Sequence, residues 1–184
     1  QPKYLNSPET PVFHKGQVLY ALHLARQAIR NEGCVVIVEG YLDAITAHQY
    51  GIRNTVASLG TSLTQDQGRL LMRYTMDALI AYDADAAGVA ATIRSLDLLQ
   101  ELGCRVRVVS VPEGQDPDGF LREAGVTGWR QLVAGATPLL EYKLARIAAR
   151  TGTATAAERL AALREVIPNL HALSSEVERE EGFQ

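Results

Sequence analysis

The sequence predicts an α/β protein, a parallel sheet flanked by helices, followed by an all-helical subdomain. Three observations predict it. Strand-like runs and stretches of helical spacing alternate four times, with short connections between them. The run Cys34–Val38 is continuously apolar and β-branched, as in strands buried on both faces. After Gly125 the strand-like runs stop and only helical patterns remain.

The elements follow in order. Residues 1–15 are loop-like and Pro-punctuated, with Lys3, His14 and Lys15 as polar handles. From Gly16 to Asn31, Val18, Leu19, Leu22, Ala25 and Ile29 recur at helical spacing. Arg26 and Arg30 suit the C-terminal end of that helix, and Gly33 can cap it. Cys34–Val38 is the first strand. Glu39-Gly40-Tyr41-Leu42-Asp43 follows, then a helix to about Tyr50 that Gly51 stops. Asn54–Ala57 is a second, weaker strand, and Ser58–Ser62 a turn. Thr64-Gln65-Asp66-Gln67 has capping-box spacing and opens a helix to about Tyr74. Asp77–Ala81 is the third strand. Tyr82-Asp83-Ala84-Asp85 leads into a helix from Ala86 to about Leu102, stopped by Gly103. Cys104–Val111 alternates, so this strand has a polar face, which carries Arg105 and Arg107. Asp116-Pro117-Asp118 opens a short helix that ends at Gly125. Helices are then expected over Thr127–Ala134, from Thr137-Pro138 to Arg150, and from the capping box Thr155–Glu158 onward, with Pro168 ending or kinking the last. The acidic tail through Glu181 reads as solvated.

Composition narrows the class. The chain has 184 residues, enough for one sizeable domain or a domain with an appendage. At 47% hydrophobic and 21% charged it reads as a soluble globular protein. No apolar run approaches the roughly 20 residues of a membrane span, and no secretory pattern precedes the body. The two cysteines, Cys34 and Cys104, sit in strand contexts and read as core residues of a reducing compartment. A net charge of −3 argues against a general nucleic-acid binder. It is compatible with a metal-loaded acidic site beside a local basic strip.

Three acidic clusters follow three strands: Glu39 with Asp43, Asp83 with Asp85, and Asp116 with Asp118. If those strands are neighbours, the clusters converge at the sheet edge where ligands bind in parallel α/β folds. Bare carboxylates a few ångströms apart repel by about 1 kcal/mol per pair in water, and by more in a partly buried cleft. Cations would relieve that cost. Only oxygen ligands are on offer, which favours Mg²⁺ or Mn²⁺ over zinc. Asp85 and Asp116 also read as helix N-caps, and Asp43 as a complement to a helix dipole. Glu39 and Asp83, each directly after a strand, lack such an explanation.

These residues resemble the TOPRIM domain shared by primases, type IA and II topoisomerases, OLD-type nucleases and RecR-like proteins. Its marks are a glutamate after the first strand and an Asp-x-Asp after a later one, here Glu39 and Asp83/Asp85. Val38–Asp43, Ala57–Ser62, Tyr82–Gly88 and Gln115–Asp118 further resemble bacterial replicative DNA primases of the DnaG type. So do Pro2–Thr10 and Phe13–Lys15, which lie outside TOPRIM. Ala84 departs from a commoner glycine, but a residue this small still presents both flanking carboxylates.

The resemblance implies a fold and a site. Residues 1–32 would end the N-terminal polymerase subdomain and supply a linking helix. Residues 33–125 would form a TOPRIM-type parallel sheet flanked by helices, and 126–184 the helical subdomain. Asp83, Asp85, Asp116 and Asp118 would be metal ligands, with Asp43 in the same acidic group. Glu39 would be a ligand or general acid/base, so that Glu39, Asp83 and Asp85 carry the catalysis. Two or more Mg²⁺ or Mn²⁺ ions are implied; zinc would belong to a domain absent from this chain. Lys3, Tyr4, Asn6 and Lys15 would hold nucleotide phosphates or the template. The implied reaction is synthesis of short RNA primers on a single-stranded DNA template from ribonucleoside triphosphates. The implied setting is the cytoplasm, at the nucleoid and replication fork, with no membrane contact and with the replicative helicase engaged through a domain absent here. The start without methionine, inside a family motif, suggests an excised piece that primes weakly or not at all alone. One rival is a TOPRIM nuclease or RNA-processing enzyme cutting phosphodiesters with the same acids; residues 2–15 and the Asp116/Asp118 pair argue against it. The other is a phospho-accepting receiver module, which Glu39-Gly40 and Pro112-Glu113 do not fit.

Overall fold

The structure is a computed structural model and describes residues 7–58, 62–82 and 86–151. The chain divides into two units, residues 1–137 and 138–184. The first contains helix α1 (Leu22–Glu32), strand β1 (Cys34–Val38), α2 (Tyr41–Gln49), β2 (Thr55–Ala57), α3 (Gln65–Leu71), β3 (Asp77–Ile80), α4 (Ala86–Glu101), β4 (Arg105–Val108) and α5 (Pro117–Ala134). A two-residue strand β5 (Thr137–Pro138) spans the division, and α6 (Leu139–Thr151) lies in the second unit.

The sheet order is β2-β1-β3-β4-β5. The first four strands are all parallel: Val36 pairs with Thr55 and Leu79, and Leu79 with Arg107. β1 and β3 are central, which is why their sequences are almost purely apolar. Side chains alternate across a strand, so Val36, Val38, Leu79 and Ala81 share a face and pack with Ala44 and Ala47 of α2 and Leu121 and Trp129 of α5. Val35, Ile37 and Ile80 point the other way and are equally buried. The outer strand β4 alternates exposed and buried residues, with Arg105 and Arg107 exposed.

One helix differs from the sequence expectation in an instructive way: α1 begins at Leu22, not Gly16, and a 3₁₀ turn, Lys15–Gln17, precedes it. Between them Tyr20 pairs with Ala57, its N–H donating to the Ala57 carbonyl at 2.9 Å and its carbonyl accepting at 3.2 Å. Ala21 then takes a left-handed φ of 63°, which turns the chain into α1. Val18 and Leu19 had the right spacing for the helix, but their backbone is tied elsewhere. Gln67, fully buried, donates to the carbonyls of Lys15 at 3.1 Å and Val18 at 2.7 Å. Its other amide atom closes the expected capping box by accepting from Thr64 N–H at 3.0 Å. α5 holds both the helix expected to end at Gly125 and the one expected over Thr127–Ala134: Gly125 sits at φ 64° and ψ −170°, so the element is two helical halves joined at a break.

The remaining boundaries fall close to the expected ones. Gly33, Gly51 and Gly103 adopt positive φ at helix ends, where a side chain would be strained. His48 Nε2 lies 2.8 Å from the Thr55 carbonyl; a carbonyl only accepts, so this nitrogen carries the proton. Among the described residues no helix is long and apolar enough to cross a membrane.

Candidate functional site

Parallel strands bring the residues that follow β1, β3 and β4 to one edge. Glu39 comes directly after β1. Gly40 then N-caps α2 in an extended conformation, with no side chain to do the capping. Asp43 does it instead: its Oδ2 accepts from Gly40 N–H at 3.1 Å. A Cβ at Gly40 would lie 2.6 Å from that oxygen, so the close approach needs glycine. The other oxygen, Oδ1, accepts from the backbone N–H of Asp118 at 3.1 Å. One buried carboxylate thus serves the first turns of two helices, where partial positive charge favours it.

The third cluster is built on the start of α5. Asp116 is the N-cap, with Oδ1 accepting from Gly119 N–H at 2.7 Å and Pro117 at the first helical position. Asp118 Oδ1 accepts from the Thr46 hydroxyl at 2.5 Å and from Arg122 Nε at 2.8 Å. The Arg122 guanidinium also reaches Thr46 Oγ1 at 3.4 Å. These bonds of Asp116 and Asp118 all fall on Oδ1.

Tyr82, the residue before the middle cluster, is buried. Burial raises its phenol well above the ordinary range; the nearby Ser95 and Ser58 hydroxyls oppose this and the Glu39 charge adds to it. A neutral phenol therefore backs this edge at any physiological pH.

The structure joins Asp43 to the backbone of Asp118, with Asp116 two residues before it as the N-cap of α5 and Glu39 one residue from the amide that Asp43 caps. Lys15 lies in the 3₁₀ turn, its carbonyl held by Gln67. Asp83, Asp85, Lys3, Tyr4 and Asn6 lie outside the described residues. Among the described residues no group of three or more His, Cys, Asp or Glu side chains is placed to hold a metal ion. The donor set still suits a hard cation, since it is oxygen-only and supplies more carboxylates than bases. Sequence reasoning missed Thr46 and Arg122. Signals for both existed: Arg122 is four residues after Asp118, and Thr46 three after Asp43 on one helix.

Comparison with known proteins places this edge. The family model described as Toprim-like matches residues 36–121. The model for the N-terminal domain of the DNA primase catalytic core matches residues 1–26. The chain is similar to the DNA primase of Clostridium acetobutylicum, 49% identical over 148 residues, covering 79% of this chain and 24% of that protein. It is 42% identical to the DNA primase of Halalkalibacterium halodurans over 181 residues, covering 98% of this chain and 30% of that protein. The chain belongs to the bacterial DNA primase family.

Solved primase structures agree. A primase domain from Pseudomonas aeruginosa superposes with a TM-score of 0.76 at 43% identity, covering 84% of this chain and 50% of that one. A DnaG primase catalytic domain solved bound to single-stranded DNA covers all of this chain and 62% of its own, with a TM-score of 0.81 and 34% identity. The chain thus spans a third or less of these curated primases. The model for the DnaB-helicase binding domain of primase matches residues 140–181. Primase sequence of that kind therefore lies within this chain, whereas the expectation put the helicase-binding domain outside it.

Proposed function

We propose that this chain supplies the metal-binding part of a primase: nucleotidyl transfer that builds short RNA primers on single-stranded DNA. The observation that supports this best is the Asp43–Asp118 junction, which joins the first and third acidic clusters; Asp83 and Asp85 come soon after β3 in the sequence. Glu39, Asp83, Asp85, Asp116 and Asp118 would hold Mg²⁺ or Mn²⁺, with Asp43 in the same group. Bound there, two or more ions would offset the charge of an incoming ribonucleoside triphosphate. Asp43 also fixes the spacing of α2 and α5, and so of the carboxylates at their starts. Glu39 serves as a ligand or moves the proton of the attacking hydroxyl. Lys3, Tyr4, Asn6 and Lys15 hold phosphates or template, so template affinity falls with salt.

In this reading residues 1–32 close the N-terminal polymerase subdomain, 33–125 are the TOPRIM domain and 126–184 a helical subdomain. The match over 140–181 supports a contact between that subdomain and the replicative helicase. The setting is the cytoplasmic replication fork. Mn²⁺ titration followed by electron paramagnetic resonance tests the site: Asp83→Ala should lose the bound ion while keeping its circular dichroism spectrum. Unchanged Mn²⁺ affinity in that variant overturns the assignment. Incubation with labelled single-stranded DNA and ribonucleoside triphosphates should give little or no primer from this chain alone. Cleavage of the labelled strand would favour the nuclease instead.

A further inference from the structure

Asp118 is held through one of its two oxygens. Oδ1 accepts from the Thr46 hydroxyl at 2.5 Å and from Arg122 Nε at 2.8 Å, and Arg122 also reaches Thr46 Oγ1 at 3.4 Å. The donors come from different elements. Thr46 belongs to α2, 72 residues away, and is 2% exposed; Arg122 stands one turn along α5 and is largely in solvent. Oδ2 makes no hydrogen bond among the described residues and is not shut in; the Asp118 side chain is 24% exposed.

The last torsion of an aspartate has a broad, two-fold well, so an isolated carboxylate does not distinguish its oxygens. Here the surroundings do. A carboxylate oxygen offers about two lone-pair sites, and Oδ1 spends both on its two donors. An exposed i,i+4 pair alone contributes little and is easily broken. The buried Thr46 hydroxyl, brought by another helix, adds the bond that ties the carboxylate down. Asp43 shows the contrast: both its oxygens accept from backbone amides and it is 8% exposed, so neither oxygen is reserved for a ligand.

We propose that Thr46 and Arg122 are positioning residues that keep Oδ2 of Asp118 turned outward, as the atom that meets a divalent cation. Hydrogen bonds to the far oxygen of a ligating carboxylate fix its orientation in this way. The inference rests on the metal-site reading above and adds to it which atom binds and what holds that atom in place.

Mn²⁺ titration followed by electron paramagnetic resonance tests this atom by atom. Asp118→Asn keeps an acceptor for Thr46 and Arg122, and Arg122 Nε, which only donates, holds the amide oxygen inward. The outward position then carries an amide nitrogen, which does not bind a cation. Asp118→Asn should therefore lose as much affinity as Asp118→Ala. Thr46→Val should bind Mn²⁺ about tenfold more weakly, and Thr46→Ser should restore binding. A hydroxyl that only drew charge from the carboxylate would do the reverse, since its removal leaves Asp118 a stronger ligand. If Thr46→Val loses its circular dichroism spectrum, Arg122→Lys replaces it: the charge stays, the Nε bond goes, and affinity should again fall. Asp118→Asn binding better than Asp118→Ala, or Thr46→Val binding at least as tightly as the unaltered chain, overturns this assignment and leaves the metal site standing. An unaltered chain that binds no Mn²⁺ overturns both.

Discussion

At the N-terminal end of β3, Asp77 has an arginine to itself. Arg105 donates to it through Nε at 2.8 Å and through a second guanidinium nitrogen at 2.5 Å. That hydrogen bonding holds the Asp77 carboxyl below its ordinary range despite some desolvation. At the other end of the sheet, Asp43, Asp116 and Asp118 lean on backbone amides at two helix starts, one hydroxyl and a single arginine. The first arrangement cancels a unit charge with a unit charge. The second orients carboxylates mainly with backbone amides and a hydroxyl, whose partial charges secure their positions without matching each with a unit charge of its own among the bonds described. An edge of that kind suits cations.

The difference can be broken at several points. Asp83→Ala should have the largest effect, loss of the Mn²⁺ signal, while Asp77→Asn at the other end leaves it unchanged. Asp43→Ala should be the most costly to the fold, by about 2–3 kcal/mol in urea unfolding, because two helix-start amides lose their acceptor in a buried place. Asp43→Asn keeps one acceptor oxygen and should cost roughly half as much. Equal losses for the two variants would mean that charge, not geometry, is what Asp43 supplies. Gly40→Ala has acceptable backbone angles, so its expected cost of about 1–2 kcal/mol comes from the Cβ pushing Asp43 Oδ2 off its amide. A crystal structure of the variant should show that oxygen displaced. Thr46→Val removes one donor from Asp118 and should cost about 1 kcal/mol in the same unfolding assay.

The smallest effect belongs to the matched pair. Asp77 titrates lower in the folded chain than unfolded, so its contribution is complete above the ordinary carboxylate range of about 4 and fades as pH falls through the folded value. The urea midpoint of Asp77→Asn should therefore lie slightly below that of the unaltered chain at pH 7. The two should converge in strong acid and in high salt, as exposed pairs do. A gap that survives both conditions would show that Asp77 acts through packing.

Local chemistry explains what could be read in advance. Cys34–Val38 and Asp77–Ile80 announce buried strands because no polar residue interrupts their apolar cores. Thr64 to Gln67, and Asp116-Pro117, carry cap chemistry within four residues. The start of α1 was not legible, because Val18 and Leu19 fit helical spacing while the contacts that pull them out of the helix come from Gln67 and Ala57. The second task of Asp43 was equally hidden: its partner amide at Asp118 is 75 residues away. The break at Gly125 was legible too, as the stop between one short helix and another from Thr127 to Ala134.

The pairing of Tyr20 with Ala57 has a consequence for how the protein behaves among copies of itself. β2 is an outermost strand, and outermost strands invite other sheets to join them. Here the strand is three residues long. Tyr20 takes both the N–H and the carbonyl of Ala57, and His48 takes the carbonyl of Thr55. A neighbouring molecule finds almost no ladder left to extend. The same short segment that delays the start of α1 acts as a guard against edge-to-edge aggregation.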